Sequence, residues 1–272
     1  MTIDFHTHIF PREIAARAVA TLQAGIQRER GYTPQPLHDS TVDGLRRSMA
    51  DADVAVSVVM PIATNPHGSD SLNRFAASLQ SPDVHSFASV HPLQPDWESA
   101  LERIAEQGFV GIKLHPQFQG FYIDSPEGLR VLRKAEQLGL YVTVHAGRDV
   151  GMPEPVRCTP ERLLHALDSV SGERVIAAHM GGYELWDDVE RLLAGTPLLF
   201  DTALTARKLP PDQYLRIIRK HGARKVLFGS DSPWENPADT RAYLRTLGLT
   251  ADELRQIESA NALRILGAQE VG

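Results

Sequence analysis

Cysteine is nearly absent: Cys158 stands alone in 272 residues. No intramolecular disulfide can form, a Cys-rich structural zinc site is excluded, and Cys158 reads as an inert thiol. Basic charge is not in excess either. Against 34 Asp and Glu there are 28 Lys and Arg, a formal charge of −6, so no basic field recommends nucleic acid or an anionic membrane as a partner. Long apolar runs are missing too. They stop short of the roughly 18 residues a membrane span needs, and polar, titratable residues arrive already at Asp4 and His6. The expectation is a cytoplasmic protein without signal peptide or anchor. A glycine-rich phosphate loop is also lacking after the first apolar run, where His6-Thr7-His8 stands instead, which argues against a doubly wound nucleotide-binding sheet.

What is present is a repeating alternation. Short β-rich runs are each followed by a segment with apolar residues at helical spacing and a Gly or Pro near its end. The runs cover 2–8, 54–60, 84–91, 110–115, 141–145, 175–179, 198–202 and 225–231. Trp97, Leu101 and Ile104 before Gly108, and Leu129, Leu132 and Leu138 before Gly139, mark amphipathic helices; Ser125-Pro126 and Thr159-Pro160 read as an N-cap with proline at the first helical position. Eight strands alternating with helices predict an α/β fold of the closed (β/α)8 TIM-barrel type. A prior of about 150 residues per domain would give two domains, but such barrels commonly reach about 250 as one. We expect one domain over 1–272, with a helical insertion at about 11–52 after the first strand that holds two helices and caps the mouth.

Barrel chemistry sits where strands end. Eleven histidines are unexplained by composition, and several fall at such ends. The first run ends in His6 and His8, the fourth in Lys113 and His115, the fifth in His145, the sixth in His179 and the eighth in Asp231. Residues i and i+2 of a strand share a face, so His6 and His8 can grip one ion. Imidazole and carboxylate donors suit Zn²⁺, and also Fe²⁺ or Mn²⁺. Each group has a plainer alternative: packed histidines for His6 and His8, an ion pair closing the barrel top for His145 and Asp231, a hydrogen bond beside the Gly-Gly turn for His179.

Asp4-Phe5-His6-Thr7-His8, Gly111-Ile112-Lys113-Leu114-His115-Pro116, Val144-His145-Ala146-Gly147, Ala178-His179-Met180-Gly181-Gly182, Gly229-Ser230-Asp231-Ser232-Pro233-Trp234 and Asn261-Ala262 together resemble the amidohydrolase superfamily, most closely amidohydrolase family 2. That branch includes carboxymuconate-semialdehyde and resorcylate decarboxylases and several lactone and amide hydrolases. The resemblance implies a divalent ion, zinc first, on His6, His8, His145 and Asp231, with Asp231 and His179 catalytic. Where superfamily members with two metals carry a carboxylated bridging lysine, this chain has Lys113. One ion is favoured; with two, Lys113 and His179 join the ligands. Unmodified, Lys113 would instead receive a substrate carboxylate with His115.

Arg148 and Trp234 are expected over the mouth as substrate-binding residues, with Phe10, Arg12, Tyr183 and Arg207 as weaker candidates. His67, His85, His91, His165 and His221 lack a partnered position. A bound ion would lower the pKa of its water toward 7, with Asp231 taking the proton and His179 serving the leaving group or oxyanion. The main expectation is hydrolysis of an amide, lactone or ester of a small acidic substrate. The alternative is metal-dependent, non-oxidative decarboxylation of a small unsaturated or aromatic acid. A catalytically silent metal- or ligand-binding barrel is a third reading, which an open ligand position argues against. Neither nucleic acid nor membrane is an expected partner, and a homodimer is left open.

Overall fold

Runs rich in Val, Ile and Leu become the staves of a closed parallel barrel. The computed structural model describes residues 1–67 and 69–267. Its strands are β1 (Ile3–Thr7), β2 (Val56–Val59), β3 (Val84–Ser86), β4 (Ala88–Ser89), β5 (Gly111–Leu114), β6 (Tyr141–Val144), β7 (Val175–Ala177), β8 (Leu199–Asp201) and β9 (Val226–Leu227). All pairings are parallel, in the orders β1-β2-β3 and β4 through β9. The seam between β9 and β1 is closed by backbone hydrogen bonds: Phe5 N donates to Phe228 O (2.8 Å), Asp231 N to His6 O (2.9 Å) and His8 N to Ser232 O (2.7 Å). The fold is the expected (β/α)8 barrel.

One stave differs from its reading as a continuous strand. The third run breaks at Phe87 into β3, paired with β2, and β4, paired with β5. Tilted staves in a barrel are staggered, so the early half of a strand meets one neighbour and the late half the other. Phe87 N still donates to Val59 O at 2.9 Å and carries the ladder across the break.

Between β1 and β2 lie two helices, α1 (Arg12–Arg30) and α2 (Val42–Ala52). Thr41 caps α2 by accepting from Gly44 N, and Gly31 ends α1 in the left-handed conformation. The caps at Ser125 and Thr159 form as expected, with side chains accepting from Gly128 N and Arg162 N. Ile3, Phe5, Val58, Phe87, Ile176, Leu199 and Leu227 form one buried cluster. Drawn from staves all around the sheet, these residues meet across the barrel interior. Ala262, Leu263 and Ile265 of the final helix, Asn261–Leu266, join the same cluster. A larger core, with Leu101, Ile104, Val131 and Leu132 from the helices, packs against strand residues such as Ile112 and Val142. Burying each such side chain contributes about 1.5–3 kcal/mol. No helix among the described residues is long and apolar enough to cross a membrane.

Candidate metal centre

β1 carries an irregularity that aims its histidines. Ile3 pairs with Val56 and Asp4 with Ser57, but the next pairing is Thr7 with Val59, so β1 holds one residue more than β2. A bulge of this kind redirects side chains, which is why Phe5 joins the apolar interior while His6, its neighbour, reaches the polar end. Asp4 clamps the bulge, accepting from His6 N (3.3 Å), Ser230 N (2.9 Å) and Ser230 Oγ (2.5 Å). Burial raises its pKa to about 7 against the pull of those hydrogen bonds. Gly229 is required beside it, since a Cβ there would lie 2.9 Å from His6 Cβ.

Hydrogen-bond partners decide which ring nitrogens are free. His6 Nδ1 donates to Asp201 Oδ2 at 2.8 Å, and His8 Nδ1 donates to the Met60 carbonyl at 3.0 Å. Both rings therefore turn Nε2 toward Asp231, whose Oδ1 lies 3.5 Å from His6 Nε2 and 3.2 Å from His8 Nε2. Burial and the nearby Lys113 lower the His6 pKa to about 4, so its ring is neutral at pH 7. Asp201 is held ionised at about 2, and Asp231 well below the ordinary range: burial works against ionisation in both, and the surrounding imidazoles outweigh it. The His8 Nε2 lone pair and the Asp231 carboxylate face His6 Nε2, whose lone pair accepts from Lys113 Nζ at 3.0 Å when no ion is bound.

The opposite half repeats the logic. His179 Nδ1 donates to the Ala203 carbonyl (2.9 Å), His179 Nε2 lies 3.0 Å from His145 Nδ1, and His145 Nε2 faces the Arg148 carbonyl at 3.3 Å. Three links each need a hydrogen, and a pair of neutral imidazoles carries two. Burial, with His115 and His179 beside it, lowers the His145 pKa well below the ordinary value. The shortfall asks for a cation. The His179 ring lies between His145 and His6, at centroid distances of 4.7 and 5.4 Å. His179, Met180 and Asp231 all adopt left-handed backbone, with φ of 59°, 55° and 68°. Such residues cost about 1–3 kcal/mol each and persist where their surroundings hold them. Asp201 holds the first two, accepting from His179 N through Oδ1 (2.9 Å) and from Met180 N through its carbonyl (2.7 Å), and the His6 carbonyl holds Asp231 N (2.9 Å).

Lys113 is 1% exposed, and its Nζ donates to His6 Nε2 at 3.0 Å. Burial lowers its pKa to about 8 against the attraction of Asp201 and Asp231. His115 stacks on His145, 4.0 Å between centroids, and on Phe118 at the same distance. His6, His8 and Asp231 thus converge, whereas His145 meets His179 and His115 instead of joining that trio directly. Among the mouth residues, Arg148 pairs with Glu154, Arg12 pairs with Asp43 (2.5 Å), and half-buried Trp234 donates its backbone N–H to Asp231 O (2.9 Å). Tyr183 is buried edge-on to His179. Two carboxylates escaped sequence reasoning. Asp201 ends β8, one residue short of the end of the seventh run, where the strand-end rule already pointed; Asp149, beside His115 and His145, carries no comparable signal.

These donors fit a divalent ion: imidazole nitrogens with fixed tautomers, a carboxylate, and no thiolate. The chain is similar to solved structures over nearly its full length. An uncharacterised TIM-barrel protein from Bordetella bronchiseptica is 18% identical, covers 98% of each chain and superposes with a TM-score of 0.73. A 5-carboxyvanillate decarboxylase from Sphingomonas paucimobilis is 16% identical, with 98% of this chain and 99% of that one covered and a TM-score of 0.67. A second 5-carboxyvanillate decarboxylase, from Novosphingobium aromaticivorans and solved with bound manganese, is 15% identical over 98% and 97% of the two chains, with a TM-score of 0.70. No curated protein matches the sequence. The family model described as amidohydrolase matches residues 3–268, and the chain belongs to that family.

Proposed function

We propose that this chain is a metal-dependent, non-oxidative decarboxylase of a small unsaturated or aromatic carboxylic acid. The observation that carries the reading is Lys113. Its buried Nζ lies 3.0 Å from His6 Nε2, and an ion on that nitrogen would take over the lone pair and leave the Nζ–H groups for a substrate. Loss of CO₂ needs an acid in the site, because the carbon left with the electron pair of the broken C–C bond must take a proton. Hydrolysis needs a base to take a proton from water. The carboxylates are engaged already: Asp201 with His6, His179 and Ala203, Asp4 with Ser230, Asp231 with His6 and His8. Burial lowers the Lys113 pKa to about 8 in the chain without an ion, and a divalent cation beside it would lower it further, so the ammonium depends on a substrate carboxylate against it and gives its proton up readily.

His6, His8 and Asp231 would hold the ion, and His145, next to His179, would add its Nδ1 as a further ligand. A divalent ion there supplies charge withdrawal from substrate oxygens, and Zn²⁺ and Mn²⁺ both suit such donors. The substrate carboxylate meets the Lys113 ammonium in a nearly dry site, His6 and His179 being 0% and 2% exposed. CO₂ then leaves as Nζ–H protonates the vacated carbon, and solvent restores the Nζ proton through the mouth. The decarboxylases among the structural relatives support this reading over hydrolysis.

Manganese- and zinc-loaded protein in D₂O, offered hydroxybenzoates and unsaturated acids alongside esters, lactones and amides, tests it. The expected result is CO₂ release with one deuterium at the vacated carbon. Turnover of an ester, lactone or amide without CO₂ from any acid would restore the hydrolase reading. Full metal loading with no turnover of either set would favour a silent barrel.

A further inference from the structure

The loop after β6 carries a carboxylate that this chemistry does not use. Asp149 is 8% exposed at its side chain; its Oδ1 accepts from Gly151 N at 2.7 Å, and its Oδ2 lies 3.3 Å from His115 Nε2 and 3.7 Å from His145 Nε2. Two imidazoles and a carboxylate suggest a second ion site. His115 rules that out. Its Nδ1 accepts from Phe118 N–H at 3.3 Å, so its hydrogen is on Nε2, which donates to Asp149 and offers no lone pair. The His115 and His145 rings also stack at 14°, which leaves their in-plane lone pairs side by side instead of convergent.

Asp149 is therefore anchored by donors on Gly151 and His115, and its charge faces His145 Nε2 beside the Arg148 carbonyl at 3.3 Å. Two oxygens facing one ring nitrogen select its hydrogen. With hydrogen on Nε2, His145 satisfies them and turns the Nδ1 lone pair toward His179 Nε2, 3.0 Å away. Hydrogen on Nδ1 would bond His179 Nε2, and hydrogen on Nε2 leaves two lone pairs facing at 3.0 Å, but the former sets a lone pair against both a carbonyl and a carboxylate, the costlier arrangement at a buried site, and an ion relieves the latter. We infer that Asp149 is a positioning residue for the candidate metal centre, holding His145 in the Nε2–H tautomer so that Nδ1 is a donor to the ion. The inference rests on the metal reading above. A carboxylate behind a ligating imidazole also raises the basicity of the ligating nitrogen.

Asp149→Asn is the informative substitution. The amide oxygen keeps the Gly151 contact, while the new N–H₂ can donate to His145 Nε2 and favour the opposite tautomer. Mn²⁺ affinity, measured by competition with a fluorescent chelator, should weaken by about 10–100-fold. In metal-free protein labelled with ¹⁵N-histidine, the His145 hydrogen should move from Nε2 to Nδ1, with circular dichroism unchanged. Unchanged affinity with Nε2–H retained overturns the inference. So does loss of one of two bound ions, which would make Asp149 a ligand. Should wild-type protein bind no Mn²⁺, the metal reading itself fails, and the ring nitrogens of the metal-free protein decide: hydrogen on Nδ1 in the wild type overturns the role given to Asp149.

Discussion

A ring nitrogen that donates to an oxygen cannot also ligate an ion, and at His6 that assigns the roles of both nitrogens. Asp201 takes the Nδ1 hydrogen and leaves Nε2 for the centre. Asp201→Asn should keep the bonds from His179 N and Ala203 N through its oxygen while turning an amide N–H toward His6 Nδ1. Metal affinity is expected to fall by about 10–100-fold, as read by competition with a chelator; unchanged affinity would mean that Asp201 does not set the tautomer. Lys113→Met removes the proposed proton source but no proposed ligand. Its CO₂-releasing turnover should drop by about 10²–10⁴-fold with one ion still bound. Metal content and turnover measured on the same sample check this, and loss of two ions together would point to a bridging lysine instead.

At the scale of elements, close approaches between loops hold the histidines in place. Gly147, just past β6, has φ 85°, and a Cβ there would sit 2.1 Å from Tyr183 N, where the loops after β6 and β7 form a bridge. Gly147→Ala should separate these loops, lowering stability by about 1–3 kcal/mol and weakening metal binding as His145 and His179 part. Thermal melts of metal-free and metal-loaded protein check both, and an unshifted melting temperature would contradict the requirement for glycine. Much of this scale was legible in the sequence. Run-and-helix alternation gave the barrel, and Ser125 and Thr159 gave helix starts, because both signals are local. The break at Phe87 was not legible: nothing in 84–91 marks it, and barrel stagger alone produces it. Asp149 stayed hidden because its place depends on a turn closed by Gly151. Asp201 was within reach, one residue before the end of a run like those that gave His145 and His179.

The whole molecule brings the centre together by closing the ring. His6 and His8 meet Asp231 only because β1 pairs with the strand that begins at Val226, across nearly the full length of the chain. The same burial that shapes the core makes folding depend on pH. His221, stacked on Phe200 with Nδ1 accepting from Gly195 N, is lowered by burial from 6.5 to about 3. Below pH 6.5 the unfolded chain binds the extra proton, so this contribution is fully present above 6.5 and is lost as pH falls toward about 3, by up to about 1.4 kcal/mol per pH unit. Urea midpoints of metal-free protein should fall over that window, with His6, lowered to about 4, adding in the same sense and Asp4, raised to about 7, offsetting part of the two. His221→Phe should flatten the slope; an unchanged slope would contradict the burial cost.

The most direct measurement is anomalous diffraction at the manganese edge from crystals grown with Mn²⁺. We expect a peak among His6 Nε2, His8 Nε2 and Asp231 Oδ1, with His145 Nδ1 drawn onto the ion as a further ligand. No peak at saturating Mn²⁺, or a peak held by His115 and Asp149 alone, would contradict the convergence of strand ends on one ion.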